Sequence, residues 1–192
     1  MPQDYFNQRK KAILTKKDKS SIGKWDEKII KLCNKINSLD DYYTTSSCSG
    51  RVVLMIDKEK KDRKLFLKIY HKLISFSQLK KDLIEVASTK ELSNLNIKFK
   101  QEPCILHVAC RNFDVALNIL KKAQSSGWKK SGIISANKNY IVELNGTHKL
   151  EFPIISKGKI LVSDDYLKLI IKKSNENLKK SWNKIEKLLG VI

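Results

Sequence analysis

Apolar residues recur along this 192-residue chain at two periods, and the places where one period gives way to the other predict its elements. Asp4 to about Thr15 reads as a basic helix with a thin apolar face of Phe6, Ile13 and Leu14. Trp25, Ile29, Cys33 and Ile36 recur at helical spacing, so a second helix is predicted from Lys24 to about Ser38 with a stripe that suits a core. After Asp40 and Asp41 the pattern becomes extended. Tyr42 to Thr45 is β-prone, Ser46 to Gly50 reads as a small polar loop, and Arg51 to Ile56 is a buried strand. Lys58 to Arg63 predicts a solvated turn, Lys64 to His71 another strand, and Ser77 a cap for a short helix that buries Leu79, Leu83 and Val86.

Leu95, Ile97 and Phe99 alternate with Asn94, Asn96, Lys98 and Lys100, which predicts a strand with one face in the core and the two lysines in water. Cys104 to Cys110 is apolar on both faces and predicts a central strand. Asn112 can cap a helix that turns Phe113, Ala116, Leu117, Leu120 and Ala123 inward and closes at Gly127. Gly132 to Ala136, Tyr140 to Leu144 and Lys149 to Ile155 read as a meander, with Asn145-Gly146 the expected hairpin turn between the last two. Ser163-Asp164-Asp165 opens a final helix whose Leu178, Trp182, Ile185 and Leu189 form a stripe. The mixed order of helices and strands, ending in hairpins, predicts an α+β fold. We expect a single domain over residues 1–192 with a large mixed or antiparallel sheet, flanking helices and a basic helix at each end.

Composition adds a partner to this picture. The chain carries 39 Lys and Arg against 20 Asp and Glu, a net charge of +19, which draws it to polyanions and makes nucleic acid the expected ligand. No apolar run is long enough to span a bilayer, and the start lacks the apolar stretch of a signal peptide, so a cytoplasmic protein without a membrane partner is expected. Cys33, Cys48, Cys104 and Cys110 contain no CxxC pair, so neither a disulfide framework nor a metal centre is indicated. The seven glycines never form GxG, so the glycine-rich strand–helix turn of Rossmann-type methyltransferases is absent.

Candidate chemistry gathers in two places. Thr44 to Arg51 combines hydroxyls, a thiol, a glycine and a guanidinium; small side chains there let backbone approach a ligand. Only Arg9, Arg51, Arg63 and Arg111 break the lysine monopoly among the cations, and Arg51 and Arg111 sit beside the two candidate segments. A planar fork grips carboxylate or phosphate bidentately, as lysine does not. His107 stands in the apolar strand and can be either a packing residue or a general base. A Cys48–His107 thiol enzyme and a non-catalytic RNA-binding module are the competing readings.

Five blocks carry a resemblance. Tyr43-Thr44-Thr45-Ser46-Ser47-Cys48-Ser49-Gly50-Arg51, Phe99-Lys100-Gln101-Glu102-Pro103, His107-Val108-Ala109-Cys110-Arg111, Gly127-Trp128-Lys129-Lys130-Ser131-Gly132-Ile133 and Thr147-His148-Lys149-Leu150-Glu151-Phe152-Pro153 are, in order, similar to the tRNA wybutosine-synthesizing protein 3 family. The resemblance implies transfer of a methyl group from S-adenosyl-L-methionine to N-4 of the tricyclic 4-demethylwyosine-type base at position 37, in the anticodon loop of tRNA(Phe). Within that reaction His107 is the expected catalytic base, and Ser46, Ser47, Cys48, Ser49, Gly50, Arg51, Arg111, Ser131 and Gly132 are the expected substrate- or cofactor-binding residues. Lys98 and Lys100 are the expected RNA contacts on the sheet.

Overall fold

The structure is a computed structural model and describes residues 4–15, 26–58, 63–137 and 139–192. These residues form two compact units, one from Met1–Ser49, Cys104–Thr147 and Ser181–Ile192, the other from Gly50–Pro103 and His148–Lys180. Each unit is α+β and has its own antiparallel sheet. The strands expected in one large sheet therefore divide into a four-stranded sheet and a five-stranded sheet. Among the described residues no two strands pair in parallel, as a doubly wound nucleotide-binding sheet would require.

In the first unit β1 (Tyr42–Cys48), β5 (Ile105–Cys110), β7 (Tyr140–Asn145) and β6 (Gly132–Ala136) lie side by side in that order. One face of this sheet carries Leu106, Val108, Val142 and Leu144. It is packed with Leu32, Cys33 and Ile36 of α2 (Ile30–Ser38), Ala116 and Ile119 of α4 (Phe113–Ser125), and Ile185 and Leu188. Trp128 is fully buried in that cluster, and its Nε1 donates to the Lys184 carbonyl at 3.1 Å, which removes the cost of burying the indole N–H. α1 (Tyr5–Leu14) is capped by Asp4, buries no residue of its own, and lays Phe6 against Tyr43 at 5.2 Å.

In the second unit the order is β3 (Phe66–Tyr70), β2 (Arg51–Ile56), β4 (Asn96–Glu102), β8 (Leu150–Ser156) and β9 (Lys159–Ile160). Leu54, Phe99 and Phe152 line up across β2, β4 and β8, with Phe152 edge-on to Tyr166 of α5 (Asp164–Leu189). α5 contributes its residues to Lys180 to this unit and those from Ser181 to the first. α3 (Phe76–Ala87) buries Leu79, Leu83 and Val86 as its period predicts, although Ser75 rather than Ser77 is the cap, accepting from the Gln78 N–H at 3.2 Å.

Several local expectations are corrected. The chain from Asp26 to Ile29 is a turn, so α2 begins later than its period suggests, and Trp25 lies outside the described residues. Phe113 begins α4 but is 47% exposed, its ring tilted against Tyr140 at 6.2 Å; Ile119 takes the buried position instead. Asn145-Gly146 is not a hairpin turn, because β7 pairs only within the first sheet and β8 only within the second; the Gly146 N–H donates to the Cys104 carbonyl at 3.0 Å instead. The tight hairpin is at Lys157-Gly158, with φ of 47° and 72°, the two positive values a type I′ turn needs.

Candidate active site

The first sheet exposes a polar row on the face opposite its core. Antiparallel register puts Ser46 of β1 opposite His107 of β5, His107 opposite Glu143 of β7, and Glu143 opposite Gly132 of β6. Directly paired residues point to the same face, so the four positions form one line, roughly 14 Å long at about 4.8 Å per strand. His107 sits there because side chains alternate along β5: Leu106 and Val108 enter the core, and the residue between them must leave it.

His107 Nε2 lies 2.8 Å from Glu143 Oε2, and the two side chains are 28% and 30% exposed, so the pair is packed yet reachable. Asn145 Nδ2 donates to the other Glu143 oxygen at 3.4 Å. A carboxylate only accepts hydrogen bonds, so it assigns the imidazole N–H to Nε2 and leaves the Nδ1 lone pair as the group that can take a proton. Glu143 escaped the sequence reading, since a glutamate at an alternating strand position resembles any solvated one. The signal that could have found it is its phase, the same as that of His107 if the two strands pair.

Of the Ser46–Arg51 segment, Ser46 to Cys48 belong to β1 rather than to a loop; a bulge between Thr44 and Ser46 sets their phase. Ser46 is exposed in the His107 row, whereas Ser47 pairs with Leu106 on the core face and hydrogen-bonds the Cys33 thiol. Ser49 is fully buried, its N–H donating to Asp26 Oδ2 at 3.0 Å and its hydroxyl to the same oxygen. Gly50 follows with a φ of 104°, a conformation that requires glycine. Asp26 therefore fixes the turn that Ser49 and Gly50 were expected to offer to a ligand. Cys48 is half-buried opposite Ile105, and the His107 Nε2 is on Glu143 rather than on the Cys48 thiol. Burial pushes the Cys104 and Cys110 thiols up to about 12 and Cys33 to about 11, consistent with inert packing cysteines.

The two arginines diverge. Arg111 donates from Nε to Asp41 at 2.7 Å, from Nη1 to Asp4 at 2.9 Å and from Nη2 to Asn7 at 3.0 Å, while stacking on Phe6 at 4.7 Å. Its fork ties α1 to β5, and every nitrogen has a protein partner; a ligand carboxylate would have to displace one of them. Arg51 lies in the second unit, bonded through Nε to Glu102 at 2.6 Å and stacked on Phe66 at 4.9 Å. Its Nη groups make no hydrogen bond among the described residues. Ser131 accepts the Asn145 N–H at 3.1 Å and donates to the Trp128 carbonyl at 2.6 Å, so it anchors the start of β6 beside Gly132.

Lys98 and Lys100 face the wet side of β4 as expected, but not unaccompanied. Lys98 pairs with Asp57 at 3.1 Å and Glu151 at 3.0 Å, and Lys100 with Glu102 at 3.0 Å. Burial would raise the Glu102 carboxyl, but the Arg51 charge and hydrogen bonds from Arg51 and Lys100 outweigh it and hold the group below the usual range. With Arg51, this ladder contains three cations and three carboxylates, so its net field at a phosphate is small.

The sequence profile of the family Methyltransferase TYW3 matches residues 8–192. The chain belongs to this family. Among its relatives is the tRNA(Phe) 7-((3-amino-3-carboxypropyl)-4-demethylwyosine(37)-N(4))-methyltransferase of Archaeoglobus fulgidus, 35% identical over 98% of this chain and 91% of the relative. Another is the human tRNA wybutosine-synthesizing protein 3 homolog, 32% identical over 97% of this chain and 72% of its own length. Among solved structures, the PH1069 protein from Pyrococcus horikoshii superposes with a TM-score of 0.83 at 29% identity, covering 96% of this chain and 92% of that one. As a methyltransferase of the TYW3 family, the chain needs a methyl donor. Among the described residues, no helix is long and apolar enough to cross a membrane.

Proposed function

We propose that this chain methylates N-4 of the tricyclic 7-(3-amino-3-carboxypropyl)-4-demethylwyosine base at position 37 of tRNA(Phe), with S-adenosyl-L-methionine as donor. The observation that carries the reading is the near-full-length match to an enzyme of that name, 35% identical over 98% of this chain. The family match over residues 8–192 supports one functional domain spanning 1–192. A tRNA substrate in turn favours the cytoplasm as the place of action.

The geometry of the polar row supports a division of labour. Alkylating a ring N–H requires the proton to leave and the nitrogen lone pair to be aimed. His107 Nδ1 takes the proton, and Glu143, at 2.8 Å from Nε2, fixes the tautomer and stabilises the imidazolium that results. The Ser46 hydroxyl, opposite His107, orients the edge of the base. The donor, when bound, supplies an electrophilic methyl group. Of the two arginines expected to grip a carboxylate, Arg111 is enclosed by Asp4, Asp41 and Asn7, whereas the Arg51 Nη groups make no hydrogen bond among the described residues. For the RNA backbone, the exposed Lys172, Lys173, Lys179 and Lys180 of α5 are better placed than Lys98 and Lys100, whose charges are balanced by carboxylates.

The test is direct. The purified protein is incubated with methyl-labelled donor and tRNA(Phe) carrying the tricyclic precursor, and the nucleosides are analysed by mass. A tricyclic nucleoside heavier by one methyl group is expected. Binding of the tRNA without any gain of mass would instead make the chain a non-catalytic tRNA-binding module.

A further inference from the structure

Gly132 is a glycine without a local reason. It opens β6, the edge strand of the first sheet, and is not among the glycines of positive φ, which are Gly50, Gly127 and Gly158. A Cβ built on it meets nothing within 4 Å, whereas at Gly127 the φ of 92° alone demands glycine, and at Gly158 the φ of 72° does the same. Neither backbone conformation nor packing therefore excludes a side chain at 132. Glycine in a strand weakens it and commonly marks a place where a ligand or another backbone comes close.

The direction in which that missing side chain would point decides what comes close. Gly132 is paired with Glu143, so its Cβ position faces the same way as the His107–Glu143 pair. One end of the row is thus bare backbone, its centre is a half-exposed imidazole and carboxylate, and its far end is the exposed Ser46. A flat heterocycle with ring N–H groups fits this profile. Its face can lie against the bare strand, its N–H groups meet acceptors, and no side chain lifts it away. Enzymes that act on a base take it out of its stack and read it by stacking and by hydrogen bonds to its edge.

We infer that Gly132 is the floor of the slot for the tricyclic base, and that the missing side chain lets the wide, fused ring reach His107. This rests on the methyl-transfer reading above and names the residue that sets its base specificity. Gly132→Ala and Gly132→Val test it, because both residues fit the empty space and valine favours a strand, so thermal unfolding should be unchanged or slightly later. The expected result is a graded loss in kcat/KM, about tenfold for alanine and a hundredfold or more for valine. Affinity for unmodified tRNA(Phe), which relies on backbone contacts, should stay the same.

A folded Gly132→Val protein with wild-type kcat/KM overturns the slot and leaves the methyl-transfer reading intact. If the wild type transfers no methyl, that reading fails, and competition binding then decides for the slot. Loss, in Gly132→Val, of the wild-type preference for tRNA bearing the tricyclic base over unmodified tRNA supports it. An equal preference in both proteins, or none in the wild type, removes it.

Discussion

The wet faces of the two sheets are built from the same residue classes and end in opposite states. On the second sheet Asp57, Lys98, Glu151, Lys100, Glu102 and Arg51 neutralise one another in a ladder of ion pairs. On the first, His107, Glu143 and Asn145 hold one another while a partly exposed imidazole, an exposed serine and a partly exposed glycine stand in one row. Degree of satisfaction separates the two faces: on the second the cations are largely matched by carboxylates, and on the first positioned groups keep unused hydrogen-bonding capacity.

The strongest way to break this contrast is to remove the proton acceptor. His107→Ala should lower kcat by about 10²- to 10⁴-fold, the usual range for losing a general base, while the Kd for tRNA barely moves. Glu143→Gln keeps the shape and an acceptor but removes the charge that would stabilise an imidazolium, so a smaller loss of kcat is expected. Normal turnover by a folded His107→Ala protein would return His107 to the role of a packing residue.

Arg51→Lys probes the scaffold side. The lysine keeps the charge but loses the Nε bond to Glu102 and the stack on Phe66. If Arg51 also holds the donor, kcat/KM should fall about ten- to a hundredfold in protein that calorimetry shows to be folded. A lower Tm with unchanged kinetics would confine Arg51 to the ladder.

The salt dependence of tRNA binding sharpens the comparison further. Replacing Lys172, Lys173, Lys179 and Lys180 with glutamine should flatten the slope of log affinity against log salt by about 0.7 to 0.9 for each true phosphate contact. The same change at Lys98 and Lys100 should alter the slope little, because those charges already face carboxylates. The reverse order of effects would move the RNA to the second sheet. The smallest effect expected is chemical: at neutral pH a thiol reagent should label Cys48 first and leave Cys33, Cys104 and Cys110 untouched until the protein unfolds. Rapid labelling of any of those three would contradict their burial.

Much of this was legible from local pattern. The period of α3, the Asn112 cap of α4, the alternation in β4 and the apolar run of β5 are each encoded in a short window, and each appears as read. The blocks around Ser46, His107 and Gly132 supply positions that register brings into one row of the first sheet. What no window contains is pairing. Asn145-Gly146 has the composition of a hairpin, yet β7 and β8 belong to different sheets, and Lys157-Gly158 makes the turn. Arg51 and Arg111 look alike as rare arginines, and only their neighbours from distant segments, Glu102 in one case and Asp4 and Asp41 in the other, separate them.

The sequence by itself determined the elements, the class, the excess of positive charge and the family, because propensity, period and motif are properties of neighbouring residues. The tertiary structure alone decided which charges are paired and which polar residues share a face of the first sheet. Register brings Glu143 to His107 across 36 positions of sequence and leaves Gly132 beside them with open space above it. A hydrogen bond or an ion pair depends on distances of a few ångströms, and those are set when strands pair, not when residues follow one another along the chain.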